Sequence, residues 1–88
     1  MKTRVFNFYE DPGHGWVKVP RKLCQELHIL PFITGYSYER GEYLYLEEDC
    51  DYSTFLYAMK AKGIAFKLKY NHSNKQSKIR SYNPFQAR

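Results

Sequence analysis

The segment RVFNFY places Phe6 and Phe8 on one side of an extended chain and Val5, Asn7 and Tyr9 on the other, the period of two that defines a strand. Pro12 and Gly13 follow in EDPGHG, one presetting a turn dihedral and the other accepting a positive one. WVKVP then returns Val17 and Val19 to a common face, so the chain opens with a predicted β-hairpin. Pro20 suits the first turn of a helix, and RKLCQELHI spaces Leu23 and Leu27 four apart, predicting about two and a half turns that Pro31 ends.

A second hairpin is predicted over YSYERGEYLYLE. With Arg40 and Gly41 at its tip, Tyr38 faces Tyr43 and Tyr36 faces Tyr45, all four on one side, with Ser37, Leu44 and Leu46 on the other. Tyr52, Phe55, Leu56 and Met59 then recur at helical spacing. Asp49 or Asp51 is placed to cap that helix, Lys60 and Lys62 suit its negative end, and Gly63 can stop it. IAFKLKY follows as an amphipathic strand with Ile64, Phe66, Leu68 and Tyr70 on one face and Lys67 and Lys69 on the other. The predicted fold class is α+β, a small, mainly antiparallel sheet in the order β-β-α-β-β-α-β with two helices on one face. Residues 1–70 form the predicted domain. Residues 71–88 are polar, with only Ile79, Tyr82, Phe85 and Ala87 apolar, and read as an extended basic C-terminal arm.

Composition agrees with one compact unit. The chain has 88 residues, 43% of them hydrophobic and 18% aromatic, too apolar for general disorder. It lacks both a signal-peptide h-region and an apolar run long enough to span a membrane, so a cytoplasmic protein with no membrane partner is expected. In that reducing setting Cys24 and Cys50 read as thiols rather than a disulfide. The net charge of +5 is unevenly distributed: residues 1–51 hold six Lys or Arg against all nine acids, a balance of −3, whereas residues 52–88 hold eight Lys or Arg and no acid, a balance of +8. Such separation steers a polyanion, or an acidic surface, towards the C-terminal part.

Candidate chemistry is sparse. Cys24 and His28 are four apart on a helix, but no C-x-x-C or H-x-x-x-H pair joins them or Cys50, His14 and His72, so neither metal nor cofactor is expected. No nucleophile elbow occurs, and DPGHG lacks the Lys and following helix of a phosphate-binding loop. Helix capping accounts for the acidic run Glu47, Glu48, Asp49 and Asp51, and His14 between two glycines reads as an exposed turn residue. A non-catalytic protein is therefore expected. Finding His14 or His72 beside the acidic run in a pocket is the arrangement that would point elsewhere.

Two binding surfaces are predicted. Lys67, Lys69, Lys75, Lys78 and Arg80, with Lys60, Lys62 and Arg88, offer phosphate contacts, while Tyr70, Tyr82 and Phe85 offer rings for stacking on nucleic acid. The competing account is a solvated basic face with Ile79, Tyr82 and Phe85 pinning the tail to the core. Tyr36, Tyr38, Tyr43 and Tyr45, with Glu47 and Glu48, suit a protein interface, since Tyr carries contact area at low entropic cost. The same phenols also stabilise a hairpin as cross-strand pairs. A homodimer through the arm or the Tyr face is compatible with either.

DPGHGWVKVP, YSYERGEYLYLEEDCD and IRSYNPF, in that order, resemble blocks of short accessory proteins carried by phages and other mobile elements. The resemblance spans most of the chain and brings no catalytic motif. It implies a binding protein that inhibits or redirects host nucleic-acid-handling machinery, such as an anti-CRISPR or anti-restriction inhibitor, with a host protein or nucleoprotein complex as partner. The alternative is direct nucleic-acid binding through the basic, aromatic C-terminal strand and arm.

Overall fold

A computed structural model describes residues 3–86. Six strands, β1 (Arg4–Glu10), β2 (Gly15–Pro20), β3 (Tyr38–Arg40), β4 (Tyr43–Glu47), β5 (Phe66–His72) and β6 (Asn83–Pro84), form one sheet in the order β5-β1-β2-β4-β3-β6. Two α-helices, α1 (Arg21–Glu26) and α2 (Tyr52–Ala61), and short 3-10 turns at Leu30–Phe32 and Lys78–Ser81 complete the described elements. The class is α+β, as the periodicities predict. The sheet is mixed: β5 pairs with β1 in parallel and every other pairing is antiparallel.

The first sheet face carries the main core. Phe6 and Phe8 of β1, Val17 and Val19 of β2, and Leu44 and Leu46 of β4 pack with Leu23 and Cys24 of α1 and Phe55 and Met59 of α2. Phe55 meets Phe6 edge-on with ring centroids 5.5 Å apart. Both helices end in the same way, with a Schellman pair of hydrogen bonds closing over a residue of positive φ. In α2 that residue is Gly63 (φ 68°), with Ile64 N donating to Met59 O and Gly63 N to Lys60 O. In α1 it is His28 (φ 59°), with Ile29 N donating to Cys24 O and His28 N to Gln25 O. This reversal stops α1 after six residues, short of the length its apolar spacing suggests and before Pro31 is reached.

Three further expectations are corrected. The second hairpin turns at Gly41 and Glu42, so that Arg40 faces Tyr43 and Tyr38 faces Tyr45. Gly41, with φ 60°, takes the first tip position, as a two-residue hairpin turn with glycine there requires. Tyr36 consequently lies outside the strand and does not face Tyr45. Asp51 stands at the N-cap of α2 but makes no side-chain cap bond. Its buried carboxylate instead accepts from Thr34 N (3.0 Å), Thr34 Oγ1 (2.8 Å) and Ser37 Oγ, tying the loop before β3 to the helix. Finally, the boundary expected at residue 71 falls inside β5, and the segment beyond it folds against the domain. Its 3-10 turn lies on the second sheet face, β6 pairs with β3, and Phe85 is buried in the main core. Arg88 and Ala87 lie outside the described residues.

Candidate nucleic-acid interface

The second face of the sheet is ordered in three rows by strand register. One row runs Lys69, Asn7, Lys18, Tyr45, Tyr38 and Pro84 across all six strands. A row to one side pairs Lys67 with Val5 and sets Pro20 beside Tyr43 and Arg40; to the other side lie Asn71, Tyr9, Trp16 and Glu47. Adjacent strands are about 4.8 Å apart, which places the Lys69 and Lys18 backbones roughly 10 Å from each other.

The C-terminal segment covers only part of this face. Ile79 is buried with Trp16 and Tyr45, and Tyr9, Tyr38 and Tyr82 pack around them. Asp11 holds the segment in place. Its fully buried carboxylate accepts from Arg80 Nε (2.7 Å) and Nη2 (2.8 Å) and from Ser77 N (2.9 Å), and also from Gly13 N and His14 N in its own turn. The Arg80 guanidinium keeps the Asp11 carboxyl well below the usual carboxylate range; burial opposes this and the backbone donors assist it.

Where the 3-10 turn meets the open half of the sheet there is a cleft of about 500 Å³. Three cations from three chain segments line it, Lys18 of β2, Arg40 of β3 and Lys78 of the 3-10 turn, together with Tyr9, Tyr43, Tyr45 and Tyr82. Glu42 at the hairpin tip is the one carboxylate among the described lining residues. Lys18 Nζ sits 4.3 Å from the Tyr43 ring centroid and the Arg40 guanidinium 4.8 Å from that of Tyr82, both within cation-π range. Tyr45 and Tyr82 stack at an angle with centroids 5.1 Å apart. Burial, and then the neighbouring Tyr82 and Tyr9, push the Tyr45 phenol up to about 12, so it stays neutral at physiological pH. Cations at the rim, one half-exposed ring and phenol hydroxyls below suit an anionic ligand that carries a flat base.

The residues expected at the nucleic-acid surface divide by position. Lys67, Lys69, Lys75 and Lys78 are exposed, and the first two share the second face with the cleft. Tyr70 is exposed but lies on the opposite face, over Phe8. Arg80 is engaged by Asp11, Tyr82 forms the cleft wall, and Phe85, only 4% exposed, presents no ring to solvent. Of the phenols assigned to a protein interface, Tyr36 and Tyr43 are exposed, Tyr38 is half-buried and Tyr45 is buried. Glu47 is buried and Glu48 exposed, with burial and then Asp49 and Glu47 raising the Glu48 carboxyl. Lys18, Arg40 and Tyr9 were not among the expected residues. The alternation of WVKVP carries the signal for Lys18, since the residue between Val17 and Val19 must point away from the core.

In comparisons with known proteins the chain matches no family model, no curated protein and no solved structure. No helix among the described residues is long and apolar enough to cross a membrane.

Proposed function

We propose that the protein binds single-stranded nucleic acid across the open half of its second sheet face. Phosphates would track Lys67, Lys69, Lys18, Arg40 and Lys78, with one base seated against Tyr43. The observation that carries this reading is the convergence of Lys18, Arg40 and Lys78 on Tyr-lined walls in a single cleft. Cations placed along a groove with accessible rings bind single strands with little sequence preference, because every base has a π-face. A site of this width suits on the order of four nucleotides.

Fluorescence anisotropy of labelled single- and double-stranded DNA and RNA tests the reading. Micromolar or tighter single-strand binding that weakens with salt is expected, and Tyr43→Ala should weaken it roughly tenfold, given about 1–3 kcal/mol per stacked base. Absence of binding at low salt would sink it.

A second reading, an accessory protein that occupies a host nucleic-acid-handling complex, draws on the other end of the molecule. There Tyr36 is 71% exposed and lines a pocket with Asp49 and Cys50, and Glu48 is exposed nearby in sequence. That combination suits a basic groove on a host protein, in keeping with the phage-type blocks in the sequence. Under this reading Tyr36→Ala and Glu48→Lys abolish capture of the host complex while oligonucleotide binding by the purified protein is weak or absent.

A further inference from the structure

The far end of the second face holds chemistry that nucleic-acid binding does not use. His14 of the first turn, Glu47 at the end of β4 and Asp49 just beyond it each offer a ligand atom, and these atoms lie within 4.8 Å of one another. They open onto a pocket of about 320 Å³, also lined by Trp16, Tyr36, Tyr38, Cys50 and Arg80. His14 is exposed in the turn, as expected, but it stands beside Glu47 and Asp49 in a pocket, and the N-cap of α2 makes no side-chain cap bond.

Glu47 is the informative member. Its side chain is 7% exposed. Oε1 accepts from Asp49 N at 3.0 Å, but Oε2 has no hydrogen-bond donor although it is buried. Leaving a carboxylate oxygen in that condition is costly unless a positive charge or a donor supplies the missing interaction. His14 Nδ1 stands 3.6 Å from Oε2, an ion-pair separation when the imidazole is protonated but beyond hydrogen-bond range, and the Cys50 thiol also lies against the Glu47 carboxylate. The 3.6 Å between His14 Nδ1 and Glu47 Oε2 also matches the edge of a tetrahedral metal site, roughly 3.3–3.6 Å for ligand bonds of about 2.0–2.2 Å. Among the described residues the two buried side-chain polar atoms without a partner are Glu47 Oε2 and Trp16 Nε1, and both residues line this one pocket. A hydrated cation answers both, giving charge to the carboxylate and a water oxygen to the indole N–H.

We infer that His14, Glu47 and Asp49 bind a divalent transition metal, with Zn²⁺ as the best match to one imidazole and two carboxylates. An imidazole ligand disfavours Mg²⁺ and Ca²⁺, which prefer all-oxygen shells. Three protein ligands leave a position for solvent. The backbone that carries His14 and Glu47 is fixed: Asp11 accepts from His14 N, Ser37 Oγ accepts from Glu47 N at 3.0 Å, and Glu48 N donates to Gly15 O at 3.0 Å.

Titration of Zn²⁺ into the full chain in competition with a chromophoric chelator should show one equivalent bound. His14→Ala, a change at a half-exposed loop position that leaves the core intact, should lower the affinity at least tenfold, and Glu47→Gln should do the same. Glu48→Gln, outside the ligand set, should leave it unchanged, and Cys50→Ser should still bind one equivalent. Trp16 is the single tryptophan and its ring centroid lies 6.0 Å from that of His14, so Co²⁺ should quench its emission in the wild type and not in His14→Ala. No stoichiometric Zn²⁺ binding by the wild type would overturn the assignment. So would undiminished binding by folded His14→Ala, or loss of binding in Cys50→Ser together with thiolate charge-transfer bands in the Co²⁺ form.

Discussion

Asp11 and Arg80 join the two ends of the described chain through one buried carboxylate. Removing the guanidinium with Arg80→Ala leaves that carboxylate with backbone donors alone, and should cost about 3 kcal/mol, the low end of the range for stranding one partner of a buried pair. Chemical denaturation at neutral pH measures this directly. Because the folded Asp11 carboxyl titrates below its unfolded value, its contribution is present above about pH 4 and is lost as the pH falls further. Asp11→Asn should therefore be less stable than wild type at pH 7 and should lose less of its remaining stability between pH 5 and pH 3, as about two points on a urea series would show. The alkaline side has its own residue. Cys24 is fully buried in the main core, and burial pushes its thiol up to about 12 despite the opposing charge of Arg21. The unfolded chain loses that proton first, so stability should fall from about pH 9 upwards by as much as about 1.4 kcal/mol per pH unit. Cys24→Ala should be less stable at pH 7 but flatter between pH 9 and 11.

At the scale of elements, the ends of the helices and the C-terminal segment are where small changes should be read most clearly. His28 holds the left-handed position of a Schellman motif with an exposed side chain, and relief of that backbone cost by His28→Gly should stabilise the fold by about 0.5–1 kcal/mol. A thermal scan suffices to check the sign. Ile79→Ala should cost about 2–4 kcal/mol and shift Trp16 emission to the red, because Ile79 covers that indole. The legibility of these elements in the sequence follows the strength of their periods. RVFNFY, WVKVP and IAFKLKY each carry a strict alternation that only a strand satisfies, and α2 combines an apolar helical stripe with a terminal glycine. The hairpin register escaped because the tyrosines occupy alternate positions on both strands, so any shift by two residues keeps them on one face; the φ demanded of Gly41 decides among the shifts. The early stop of α1 escaped because His28 carries no glycine-like signal. Residues 77–85 were legible only through the competing account, a tail pinned by Ile79, Tyr82 and Phe85, which the burial of Ile79 and Phe85 bears out; their spacing by three matches neither a strand nor a stable helix, so the form of the segment was not. They bind to two different faces of the sheet, which no local pattern encodes. The cleft was half legible: Lys67, Lys69 and Lys78 stood out as basic residues, while Lys18 and Arg40 lie in the half whose net charge is negative.

For the whole molecule, that negative net charge is misleading because folding withdraws much of it from the surface. Asp11 is buried against Arg80, Asp51 against Thr34 and Ser37, Glu39 pairs with Arg21, and Glu47 is buried at the far end of the sheet. Lys67 and Lys69 on the second face and Lys78 at the cleft remain in solvent and Lys18 is half-exposed, so the field over the cleft is more positive than the chain's formal +5 suggests. If nucleic acid lies on this face, each cation that meets a phosphate releases counterions, and five of them predict a slope of log K against log salt of about −3.5 for a single strand. Replacing Lys18 and Lys69 together with alanine should reduce the magnitude of that slope by about 1.4, at about 0.7 per contact. Replacing Lys60 and Lys62, on and just after the helix that covers the other face, should leave it unchanged. The comparison separates a face from a general charge effect, since both double variants remove the same net charge. An equal drop in slope for the two pairs would mean that the strand is held by the overall field, and the cleft would then have no special claim on it.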